Sequence, residues 1–111
     1  MTTATFKQHG DVFRIQIEGH ADYNPGQDII CASCSTLAYT LLQCLKAEQE
    51  SNNFIVFDHD IKEGVGSYYV KMRPLQRAIG YIEVMVNTIA SGFALLAHKY
   101  PNHVKFIYHN S

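Results

Sequence analysis

The sequence predicts an α+β domain in the order ββαββαβ, a mainly antiparallel sheet with two helices packed on it. Three observations predict this. Short stretches near both ends and in the middle of the chain alternate apolar with polar residues. Two longer stretches repeat apolar residues at steps of three and four, and clusters of Gly, Asn, Asp and Pro separate the stretches. Alternation is the period of a strand with one buried face, and the three-to-four step is that of a helix with one buried stripe. With 111 residues, 47% of them hydrophobic and 17% charged, the chain is expected to form one domain over residues 1–111. No linker, repeat or low-complexity segment divides it.

Thr3 to Gln8 and Val12 to Glu18 alternate on either side of His9-Gly10-Asp11. Phe13, Ile15 and Ile17 share one face and Arg14, Gln16 and Glu18 the other, so the two strands read as a hairpin. Gly19 to Gln27 carries loop residues. From Asp28 the period becomes helical, with Ile30, Cys34, Leu37, Leu41 and Leu45 on one buried stripe that also takes in Cys44. Asp28 suits an N-cap, because its carboxylate can accept a backbone N–H from the first turn, and Cys31 then falls in that turn. Polar Lys46 to Asn53 ends the helix. Phe54 to Phe57 and Tyr68 to Met72 read as a second hairpin, joined by a loop around Glu63-Gly64-Val65-Gly66.

After Pro74, residues Leu75, Ile79, Ile82, Val86, Ile89, Phe93, Leu96 and Tyr100 follow the helical step until Pro101 stops it. Ala78, Met85 and Leu95 widen this stripe. Two-sided burial is the expected cause, either under the sheet and first helix or in a homodimer. Val104, Phe106 and Tyr108 alternate in a last strand.

Composition narrows the function. A net charge of −1 carries no basic footprint, so no nucleic-acid partner is expected. The N-terminus lacks a charged-then-apolar leader, and no apolar run reaches ~18 residues without a polar interruption; no membrane partner and a cytoplasmic location follow as expectations. Cys31, Cys34 and Cys44 are odd in number and crowded, which suits thiol chemistry better than a disulfide framework.

A reactive thiol needs surroundings that favour thiolate, and a helix start supplies unpaired N–H groups and the positive end of the dipole. Cys31 fits that position. It also needs a base working near neutral pH, and His20 stands at the start of the loop that leads to Cys31.

Gly19-His20-Ala21, then Gly26-Gln27-Asp28-Ile29-Ile30-Cys31-Ala32, then Ser35, closely resembles the signature of the ribosomal-processing cysteine proteases. That signature reads G-H-A, a short flexible loop, G-x-D with two hydrophobic residues and C-A, and a Ser four positions after the Cys. The resemblance implies catalytic Cys31 and His20, with Asp28, Gly19 and Ser35 in support. It implies removal of the N-terminal extension of a large-subunit ribosomal protein, after an aromatic pair, by a homodimer that needs no cofactor or metal. The loop of Ala21, Asp22, Tyr23, Asn24, Pro25 and Gly26 has little apolar anchoring and is expected to close on the substrate. Asp28 has two roles open to it, capping the helix or orienting His20.

The chain departs from the family pattern at Cys34, where an apolar residue such as Val is usual. Cys31-Ala32-Ser33-Cys34 therefore also spells C-x-x-C at a helix start, and a thiol-disulfide redox protein using Cys31 and Cys34 is the alternative function. A structural zinc site would want four ligands; no second C-x-x-C follows, and His98 and His103 straddle Pro101 at the end of a helix. A third alternative, a non-enzymatic ribosome-associated binding module on the same fold, expects His20 or Cys31 to be lost. Both are present.

Overall fold

A computed structural model describes residues 1–19, 25–62 and 66–111, with the side chains of 25–28 left aside. β1 (Thr2–His9) and β2 (Val12–Glu18) pair antiparallel from Thr3 opposite Glu18 to His9 opposite Val12. Gly10, at φ 60°, makes the turn that a side chain would strain. β4 (Ser67–Pro74) joins the other side of β2, with Ile15 opposite Val70, and β3 (Phe54–Lys62) pairs antiparallel with β4 at the edge. β5 (Val104–Asn110) closes the opposite edge by pairing parallel with β1. The sheet therefore has the order β3-β4-β2-β1-β5 and is mixed, antiparallel except at β1–β5. The expected ββαββαβ order is observed, with α1 over Pro25–Glu50 and α2 over Ile79–Lys99.

This topology puts both helices on one side. From β2 the chain crosses through α1 to β3, over β4; from β4 it crosses through α2 to β5, over β2 and β1. Each crossover joins parallel strands and so takes the right-handed form. β2 and β4 run in opposite directions and their crossovers move in opposite directions across the sheet, so both turns land on the same face. Only that face is apolar. Ala4, Phe6, Phe13, Ile15, Ile17, Tyr68, Val70 and Met72 point into one core, where they meet Ile30, Cys34, Ala38, Leu41 and Leu45 of α1 and Ile82, Val86, Ala90 and Phe93 of α2. Phe6 lies at its centre, with the rings of Phe93 and Phe106 each 5.8 Å away. On the other face Lys7, Arg14, Gln16, Glu18 and Arg73 are exposed. By length and composition both helices could cross a membrane, but in this fold their apolar stripes cover the sheet.

Several boundaries differ from the sequence expectation. α1 begins at Pro25, three residues before Asp28, because proline has its φ preset for a first helical position and no N–H to leave unpaired there. Asp28 therefore lies inside the helix and is not its N-cap, and Cys31 falls in the second turn. Lys46 to Glu50 continue α1, being good helix formers as well as polar, and the chain turns away at Asn52 with φ 58°. Cys44 is exposed, since the buried stripe runs through Leu41, Leu42 and Leu45 and Cys44 is rotated off its edge. β3 extends to Lys62 because Asp58, His59 and Asp60 belong to an edge strand open to solvent. A bulge between Phe54 and Val56 keeps Phe54 and Phe57 on the helix side, where their rings stack at 4.8 Å. Leu75 to Ala78 form a turn ahead of α2.

A polar knot joins the ends of α1, β3 and α2 away from Cys31. The Asn53 amide donates to Glu48 Oε2 at 2.7 Å and to the Tyr81 hydroxyl at 2.8 Å, and its carbonyl oxygen accepts from Arg77 Nε at 3.0 Å. Asn53 is itself buried, so truncation strands its partners. Asn53→Ala is expected to destabilise the fold by about 1–3 kcal/mol, read as a lower urea midpoint with an unchanged slope; an unchanged midpoint would mean the knot is decorative.

Candidate active site

At the end of β2 nearest α1, a cleft of about 330 Å³ opens between the sheet and the helix. The wall from α1 is a helical ladder: Cys31, Ser35 and Tyr39 follow one another at steps of four, and Cys34 and Ala38 form a second row beside them. Ile17 closes it from β2, Ser67 and Tyr68 from β4, Thr2 from β1, and Gly19 and Gly66 from the backbone adjoining β2 and β4.

Gly19 has a specific physical task here. Its φ is 105°, and a Cβ built on it would collide with the carbonyl oxygen of Met1. Its N–H donates to the Gly66 carbonyl at 3.0 Å, tying the exit of β2 to the start of β4. Any other residue would meet both a disfavoured backbone conformation and a backbone clash.

The three cysteines differ in environment. Cys31 is half-buried at the cleft, Cys34 is 5% exposed, and Cys44 is open to solvent but does not line the cleft. Burial pushes the Cys34 thiol up to about 11, and negative charge on Cys31 adds to the rise. Cys34 is therefore a protonated thiol in the core at neutral pH. Tyr68 is also held neutral, burial driving its hydroxyl well above the ordinary tyrosine value, with Tyr39 adding to it. That hydroxyl donates to the Ala38 carbonyl at 2.9 Å and fixes the ring against α1, while the Tyr39 ring meets it edge-on at 6.4 Å. The hydroxyls of Ser33, Thr36 and Thr40 donate to carbonyls four residues back. Ser35, exposed on the cleft wall, makes no such bond among the described residues.

The cleft is thus a small, largely apolar slot with the half-buried Cys31 thiol and the hydroxyls of Ser35 and Tyr39 in line along α1, a shape suited to holding an extended chain. Over residues 1–105 the sequence matches the model of a protein family described as cysteine protease Prp. The chain belongs to the cysteine protease Prp family. Solved structures agree in fold. SMU.848 from Streptococcus mutans aligns over 100% of this chain and 99% of its own, with 23% identity and a TM-score of 0.77. The ribosomal processing protease Prp of S. aureus with a substrate peptide aligns over 97% and 99%, with 16% identity and a TM-score of 0.73. The S. aureus Prp with a covalently linked product peptide shows the same coverage, 19% identity and a TM-score of 0.72. No curated protein matches the sequence.

As a member of the Prp family the protein is a cysteine protease. Of the residues singled out from sequence, the structure brings Cys31, Gly19 and Ser35 together around the cleft. His20 and the loop residues Ala21, Asp22, Tyr23 and Asn24 lie outside the described residues, as do Glu63, Gly64 and Val65 of the second expected loop. Pro25 and Gly26, expected in the substrate loop, are the first residues of α1. Among the described residues no three His, Cys, Asp or Glu are grouped to hold a metal.

Tyr39, Tyr68, Ile17 and Ala38 line the site without having been singled out. Stepping four residues at a time from Cys31 along the helix would have found Tyr39; Tyr68 depends on the β2–β4 pairing, which no local signal carries.

With iodoacetamide in folded protein, Cys34 should remain the slowest thiol to react at neutral pH, its thiolate fraction reaching one half only near pH 11. Cys31 and the exposed Cys44 should react first. Peptide mass spectrometry across a pH series reads this directly, and rapid neutral-pH labelling of Cys34 would contradict its burial.

Proposed function

We propose that this protein is a cysteine endopeptidase that removes the N-terminal extension of a large-subunit ribosomal protein, with Cys31 as nucleophile and His20 as general base. The observation that carries the assignment of the nucleophile is the contrast among the thiols. A cysteine protease needs a thiol that reaches substrate in a cleft; Cys34 is buried and protonated, Cys44 is away from the cleft, and Cys31 is half-exposed within it. The fold shared with S. aureus Prp, a ribosomal processing protease solved with a substrate peptide, supports the substrate class.

In this mechanism His20 takes the Cys31 proton, the thiolate attacks the scissile carbonyl, and His20 returns the proton to the leaving amine before activating water for deacylation. Cys31 stands one turn inside α1, and helical side chains lean toward the N-terminus, so its sulfur is carried back over the first turn. Ser35, one turn further along, is suited to donate its hydroxyl to the substrate carbonyl or the oxyanion. Asp28 is assigned the role of orienting His20 in this reading. The apolar, neutral wall of Tyr39, Tyr68, Ala38 and Ile17 suits the aromatic pair before the cut. A ribosomal substrate goes with action in the cytoplasm.

The test is to incubate the protein with the extended ribosomal protein and sequence the new N-terminus. Cleavage should follow the aromatic pair, disappear in Cys31→Ala, and slow by about 10²–10⁴-fold in His20→Ala. Equal cleavage of a substrate whose aromatic pair is replaced by alanine would reject the substrate, and full activity of Cys31→Ala would reject the site.

We also propose that the protein is a homodimer. Of the residues that widen the α2 stripe, Ala78 is buried and Met85 packs on the core, but Leu95 stays 58% exposed. It borders an apolar groove between the helices with Ile29, itself 67% exposed, and with Ala32, Leu37, Gly92 and Leu96. Covering this groove with a second copy removes apolar surface that the monomer leaves in water. Light scattering at micromolar concentration should give about twice 12.6 kDa, falling toward the monomer in Leu95→Lys. A wild-type mass near 12.6 kDa would sink the dimer.

A further inference from the structure

Cys31 and Cys34 stand three residues apart on α1 and line the same cleft, Cys31 at its accessible side and Cys34 in the wall behind it. Negative charge on Cys31 is felt at Cys34. We propose that this pair is a redox latch: a hydroperoxide that reaches the cleft oxidises Cys31, and Cys34 then captures it as a reversible intrahelical disulfide that closes the protease. The proposal rests on Cys31 being the nucleophile.

The chemistry balances in two steps. The Cys31 thiolate attacks one oxygen of the hydroperoxide; an S–O bond forms, the O–O bond breaks, and the departing oxide or hydroxide takes a proton, leaving Cys31 as a sulfenic acid oxidised by two electrons. The Cys34 sulfur then attacks the Cys31 sulfur. The S–S bond forms as the S–O bond breaks, and hydroxide leaves with the Cys34 proton as water. A small dithiol reverses the latch by exchange, returning two electrons and two protons.

Two features of the site favour capture. Burial alone keeps Cys34 from meeting an oxidant in bulk solvent, so oxidation starts at Cys31. The negative charge of Cys31 is one of the two causes that hold the Cys34 proton. Once Cys31 is a neutral sulfenic acid that cause is gone, and the Cys34 thiolate becomes easier to form beside the sulfur it must attack.

The helix makes the bond labile as well as reachable. Side chains three residues apart on a helix have Cβ atoms about 5–6 Å apart, whereas a relaxed disulfide wants about 3.5–4.5 Å. Closing that gap deforms the turn between them, and a strained disulfide is more readily reduced. The latch then protects the nucleophile from the irreversible sulfinic state and reopens when reductant returns.

Purified reduced protein treated with hydrogen peroxide should lose the mass of two hydrogens and, alkylated with iodoacetamide after denaturation without reductant, be blocked at both Cys31 and Cys34 and remain alkylatable at Cys44. Proteolytic activity should fall and return with dithiothreitol. In Cys34→Val the same treatment should add two oxygens at Cys31, and the loss, measured against that variant's own untreated rate, should not be restored. Cys34→Ser provides a second variant of nearly unchanged size should valine perturb the core. Sulfinic acid at Cys31 of the parent protein with Cys34 still alkylatable would overturn the latch, as would a disulfide to Cys44. Formation of the Cys31–Cys34 disulfide with proteolysis unimpaired would instead overturn Cys31 as nucleophile, so the two failures are distinguishable.

Discussion

Everything in this fold follows from burying one face of one sheet. A five-stranded sheet covered on both sides would need apolar residues at every strand position; here they occur at every second one, and the two crossovers supply helices to that side alone. Packing in the core fixes how each helix is rotated about its axis. For α1, putting Ile30, Ala38, Leu41 and Leu45 against the sheet turns Cys31, Ser35 and Tyr39 toward the open end beside Gly19. The direction in which Cys31 points is thus a consequence of core packing on the same helix.

Most of this architecture is legible in the sequence, because a one-sided sheet writes its pattern locally. Phe13, Ile15 and Ile17 report the buried face of β2 without knowledge of its neighbours, and Ile82, Val86 and Phe93 do the same for α2. Legibility ends where tertiary context decides. The polar run Asp58-His59-Asp60 hides the second half of β3, since an edge strand need not alternate. Lys46 to Glu50 resemble a helix end by polarity alone although their propensity is helical. Cys44 follows the step of three from Leu41 and still falls outside, because the stripe broadens toward Leu42 and Leu45.

The site divides the same way. Gly19 and Ser35 stand out through the resemblance of the Gly19 to Ser35 segment to a family signature, and Cys31 also through its place near a helix start; the structure adds the backbone reason for Gly19. Tyr68 does not stand out, because its part in the cleft needs β4 to lie beside β2 and its hydroxyl to find the Ala38 carbonyl. Cys34 shows both aspects. Its place on the apolar stripe was readable, whereas the strength with which its proton is held depends on the depth of the finished core.

The bulge at the start of β3 also bears on solubility. An exposed outer strand offers an unpaired row of N–H and C=O groups, on which a passing chain could template and begin a fibril. The extra residue interrupts the regular spacing of that row and sharpens its twist, while Asp58 and Asp60 put like charges along it. A docking strand would have to match a broken register against electrostatic repulsion. Open-ended stacking of copies along the β3 edge of the sheet is thereby disfavoured.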